Sequence, residues 1–164
     1  MYPRRPHAGM TLLEILVVIA IIAIAAGGML ALLDGDERSQ VDREARRFAG
    51  ALEYATQRAQ VRHETLGVSA NGAELRFWRR GEDGRWQGIP DDGVLAARSL
   101  PAPLHATLLT YGGRPVGADA IVPLRPSGRN EPYSMALAGT TVVVTLSADP
   151  LNRVLIGEPV PIAQ

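Results

Sequence analysis

Glu14 is the residue in this sequence with the most to explain. It is the only charge in the 23-residue run TLLEILVVIAIIAIAAGGMLALL, residues 11–33. A carboxylate at membrane depth costs on the order of 2.5–3.5 kcal/mol, somewhat less near a helix end, and such a group is normally paired. The bland alternative is a side chain that snorkels to the membrane surface. Other residue types that could do chemistry are arranged without it. The three histidines, His7, His63 and His105, lie at no metal-ligand spacing with acids. Glu82-Asp83 and Asp91-Asp92 sit in turn-like contexts, where Asp favours turn geometry on its own account. Ser127 stands in Pro-Ser-Gly, which is no nucleophile elbow, and the glycines are scattered through turns instead of forming a phosphate-cradling loop. There is no cysteine, hence no disulfide, thiolate metal site or thiol nucleophile. Neither catalytic residues nor a metal or cofactor site is expected.

The element that must hold Glu14 is a helix. At about 1.5 Å per residue the run 11–33 reaches about 34 Å, enough to cross a hydrocarbon core of about 30 Å. Arg4 and Arg5 precede it, while Asp34, Asp36 and Glu37 follow, so the N-terminus is expected to stay cytoplasmic and the rest to lie outside. A cleaved secretory signal, with Ala23-Ile24-Ala25 as its small-residue site, is one reading. Against it, the apolar run continues past that point, and Glu14 falls where a signal core is purely apolar. An ordinary anchor with an accidental glutamate is a second. The third gives the glutamate a task.

The string Gly9-Met10-Thr11-Leu12-Leu13-Glu14 resembles the processing motif of type IV pilins and type II secretion pseudopilins. The resemblance implies cleavage by a prepilin peptidase between Gly9 and Met10, methylation of the new N-terminus at Met10, and Glu14 as the fifth residue of the mature chain. Met10 departs from the usual Phe at the first position. The resemblance also makes the chain a substrate of an enzyme and not an enzyme. A physical role for Glu14 follows from the cut: the α-amino group exposed on Met10 of a neighbouring subunit is a cation at the same depth. Pairing with it would set the axial stagger of helices packed in a fibre.

Beyond the membrane the helix is expected to continue. Val41, Ala45, Phe48, Leu52, Ala55 and Ala59 recur at spacings of 4, 3, 4, 3 and 4, an apolar stripe for packing on the head. A coiled-coil seam is the alternative, although the stripe is short and alanine-rich. Gly27-Gly28 and Asp34-Gly35 are expected points of bending or melting. After His63 the period becomes two, with strands expected at 65–69, 74–79, 94–98, 105–111, 120–124, 133–137, 140–147 and 153–157. The strongest hairpin runs through Ala138-Gly139 into Thr140. The segment 81–103, with Trp86, reads as an inserted hairpin or loop, a variable surface excursion. The fold class is therefore α+β: a long N-terminal transmembrane and stalk helix packed on an antiparallel β-sheet head. The division is a cleaved leader over 1–9, a transmembrane helix over 10–33, an amphipathic stalk over 34–62 and a periplasmic head over 63–164.

With 164 residues, one core is affordable and two are not. The 17 positive side chains are all arginine and are balanced by 17 acids, so nothing drives the whole chain toward nucleic acid. Within the pilin-like proteins the chain is similar to the minor pseudopilin H family of type II secretion, grouped with FimT. The carrying residues are 120–128, a strand followed by Pro126-Ser127-Gly128, and the closing strands near 141–145 and 153–156. That similarity implies a minor pseudopilin in the bacterial inner membrane, near the tip of a periplasmic pseudopilus. Its implied partners are other minor pseudopilins, the major pseudopilin, the prepilin peptidase and the inner-membrane assembly platform. The alternative is a FimT-like minor pilin of type IV pili, acting in pilus assembly or DNA uptake. DNA binding would call for an arginine-rich tail, and residues 155–164 carry no positive side chain.

Overall fold

The computed structural model describes residues 12–162, and the side chains among them except those of 13 and 25–35. The helical period runs into one element, α1, over Leu12–Arg62, 51 residues long. Gly27-Gly28 and Asp34-Gly35 lie within it as helix, not as breaks. Its end is set by His63, at φ 53°, with the Glu64 amide reaching back to the Ala59 carbonyl at 3.2 Å. This is a left-handed helix cap with histidine in the usual glycine position. The chain divides into two compact units at Asp36/Glu37. In the first, Leu12 and the large apolar side chains from Ile15 to Ile24 stand exposed along α1.

In the second unit, period-two alternation gives an entirely antiparallel sheet. Its strands are β1 (Leu66–Gly72), β2 (Glu74–Arg80), β3 (Trp86–Gly88), β4 (Arg98–Ser99), β5 (His105–Tyr111) and β6 (Arg114–Pro115). They are followed by β7 (Val122–Leu124), β8 (Tyr133–Ala138), β9 (Val142–Ala148), β10 (Val154–Ile156) and β11 (Val160–Pro161). The main order is β10-β9-β8-β5-β1-β2-β3, with β11 on β9, β4 on β2, β6 on β5 and β7 on β1. Leu66, Val68 and Ala70 of β1, Leu75 and Phe77 of β2, Met135 and Leu137 of β8, and Val144 and Leu146 of β9 form one apolar face. That face meets Val41, Ala45, Phe48, Leu52, Ala55 and Ala59 of α1 in a single core. Phe48 and Phe77 mark the contact, ring centroids 5.9 Å apart.

Three expectations about strands are corrected. Residues 94–98 do not form a strand: the amides of Val94 and Leu95 donate to Asp92 Oδ1, and that of Ala96 to the Asp92 carbonyl, so this backbone curls around one aspartate. Only Arg98 joins a ladder, in β4. The hairpin after β8 turns over 139–141, because the amides of Thr140 and Thr141 are taken by a carboxylate of α1. Three short strands had no alternating signal: β3 pairs with β2, β6 folds back on β5, and β11 returns along β9.

Candidate functional site

Glu14 lies on α1 with its side chain exposed, while Gly9 and Met10, the expected processing site, lie outside the described residues, as does the leader. The span expected over 10–33 includes Met10 and Thr11, also outside them, and 25–33, whose side chains are outside them as well. Among the described residues no helix is long and apolar enough to cross a membrane. No group of three or more histidines, cysteines and acids among them could hold a metal ion.

The head half of α1 is held by three polar contacts that the apolar stripe did not announce. Glu37 is the first: its carboxylate accepts from the amides of Thr140 and Thr141, the latter at 3.0 Å, and from Thr141 Oγ1 at 3.1 Å. A Cβ on Gly139 would collide with that carboxylate, so the contact in this form depends on a glycine at the hairpin tip. Second, Arg98 donates to Glu44 at 2.6 Å. Third, Arg58 donates to Glu64 at 2.7 Å and to Asp92 at 2.6 Å. Burial by itself would lower the Arg58 pKa, but its bonds to Glu64 and Asp92 carry it above the ordinary value. Burial likewise opposes the charge on Asp92, yet the amides of Val94 and Leu95, with Arg58 and Tyr54, hold its carboxyl below the usual range.

The segment 81–103 is therefore a strap rather than a loose excursion. Ile89, Leu95 and Leu100 are buried in the core, and Asp92 ties it to α1. Its start is fixed on the sheet's other face, where Trp86 lies against Gly67: a Cβ there would stand 2.9 Å from the indole and 2.6 Å from Ile121. Where the strap crosses α1 it leaves a groove of about 440 Å³. Phe48, Leu75, Phe77 and Val94 contribute its apolar walls. Sequence reasoning missed Glu37, Arg58 and this groove. Asp92-Gly93 offered a turn signal, but nothing in it named a partner 34 residues away.

A long N-terminal helix whose stretch from Val41 to Ala59 packs on an antiparallel sheet defines a pilin-like protein. Residues 4–30 match the prokaryotic N-terminal methylation motif, and residues 44–157, well over half of the chain, match the type II transport protein GspH family. The chain belongs to that family, one of structural pseudopilins. The type II secretion system protein H of Pectobacterium carotovorum subsp. carotovorum is 26% identical over 152 residues, 80% of this chain and 81% of that protein. Its counterpart in Aeromonas hydrophila is 27% identical over 100 residues, 60% of this chain and 55% of its own. The fold is shared with the minor pseudopilin EpsH of the Vibrio cholerae type 2 secretion system, at TM-score 0.60, 17% identity, and 77% and 99% coverage. It is shared too with E. coli GspH in solution, at TM-score 0.58, 20% identity, and 74% and 89% coverage. The chain is accordingly a minor pseudopilin of type II secretion.

Proposed function

We propose that this minor pseudopilin is cut by a prepilin peptidase between Gly9 and Met10, methylated at Met10, and drawn from the inner membrane into a short periplasmic fibre. The membrane segment is 10–33, the stalk 34–62 and the head 63–164, with the N-terminus cytoplasmic. Within the fibre the Glu14 carboxylate pairs with a neighbour's protonated Met10 amino group and so sets subunit register. The partners are the other minor pseudopilins, the major pseudopilin and the assembly platform, and the place is near the fibre tip. The observation that carries this reading is the joining, on one chain, of the methylation motif at 4–30 to the GspH match at 44–157. The exposed apolar surface of α1 from Ile15 to Ile24 supports it, since such a surface requires lipid or other helices around it.

Mass spectrometry of the chain extracted from its own membrane tests the reading. The expected N-terminus is N-methylated Met10. A chain that still begins at Met1 would contradict it.

A further inference from the structure

The groove between α1 and the strap is lined by two kinds of side chain. Its walls are apolar, and among the described residues its charged lining is Arg47 and Arg98, with no acid. Arg98 is satisfied by Glu44, whereas Arg47, exposed at the rim, makes no ion pair among the described residues. Val94, which lines the same groove, has 52% of its surface exposed. Gly50, one turn of α1 beyond Arg47, lines the same groove in mid-helix, where glycine weakens the helix and nothing in the fold demands it: apart from α1's own neighbouring backbone, no atom lies within 4 Å of where its Cβ would be. A bare helix backbone beside an apolar groove admits the close approach of another helix. The positive rim selects one that carries an acid.

We propose that this groove is a docking site for a helix of a neighbouring fibre subunit, crossing α1 at Gly50. An apolar side chain of that helix lies in the groove against Val94, over the Phe48–Phe77 contact, and its carboxylate meets Arg47. The inference rests on the pseudopilin reading above and adds to it a surface and the chemistry of its occupant. Aromatic and arginine side chains around a desolvated pocket are the usual makings of an interface hot spot.

The test uses the full-length chain in secreting cells, with a photo-crosslinking amino acid in place of Val94. The expected adduct is to a membrane-anchored pilin-like subunit, mapped to a helix with an acidic residue. Arg47→Glu and Gly50→Trp each lower its yield about tenfold, the loss of one good charge pair or its geometry. An arginine replacing the mapped acid restores the adduct to Arg47→Glu. Both positions are exposed, and thermal melts of each variant in detergent report on whether the head is folded. An adduct unchanged by both folded variants, or none at Val94, overturns the proposal. Export that is lost without the chain but normal with both variants refutes the groove alone. Export that proceeds without the chain refutes the secretion role itself.

Discussion

The Arg58 guanidinium and the Asp92 carboxylate meet at 2.6 Å, with side chains only 8% and 11% exposed, and join the stalk helix to a strap that starts at the far edge of the sheet. The contact makes the segment from 81 to 103 part of the head's architecture. Removing one partner leaves the other charge buried without its counter-ion, the costly way to break such a pair.

Asp92→Ala should therefore destabilise the head by about 3 kcal/mol, since it also strips the acceptor from the amides of Val94 and Leu95. Urea unfolding of the full chain in detergent, followed by circular dichroism, measures it. An unchanged midpoint would mean the strap is held by Ile89, Leu95 and Leu100 alone.

Acid gives an independent check. Folded Asp92 binds its proton less tightly than the ordinary carboxyl at 3.8, so it favours the folded state above that pH. The contribution should be lost as pH falls below 3.8 toward the folded value. Asp149, pulled the same way chiefly by the Arg153 amide, adds to the slope. Asp92→Asn should flatten, without abolishing, the fall in stability over that interval. A pH profile identical to wild type would exclude Asp92 as a source.

Glu37→Ala removes the acceptor for Thr140 and Thr141 and should cost about 1–2 kcal/mol, seen as a melting temperature lower by several degrees. Gly139→Ala should cost a similar amount, because the new methyl displaces the Glu37 carboxylate. Since both act on one contact, the double mutant should be less destabilised than the two losses added together. Full additivity would show that the two residues act separately.

Gly50→Ala works in the opposite direction. With open space at the Cβ position, alanine should stabilise the helix by about 1 kcal/mol. A thermal melt shifted up by about 2–4 °C is the expected reading. A downward shift would reveal a packing role for the glycine in the isolated chain.

At the N-terminus, Gly9→Ala should leave the full-length form in the inner membrane, detectable as a slower band on a gel. Glu14→Ala should be processed normally yet enter fibres poorly. Wild-type incorporation of Glu14→Ala would mean that some other contact sets register.

Two layers of this protein are legible in its residues. The 23-residue apolar run with its solitary glutamate, Gly9 five residues before that glutamate, and the apolar stripe from Val41 to Ala59 are patterns of local period and spacing. A helix or an alternating strand imposes such patterns on its own sequence. The hairpin joining β1 to β2 is local in the same sense, since Gly72 at its turn adopts φ 60°. The strap, the Glu37 clamp and the groove at Gly50 were decided only by tertiary structure. Each joins residues far apart in the chain, Glu37 to Thr141 across 104 positions and Arg58 to Asp92 across 34. A carboxylate on a helix reads as solvated until the fold places an amide or a guanidinium against it. For the same reason 94–98 looked like a strand: its side chains alternate, but its backbone amides found Asp92 before they could find a neighbouring strand.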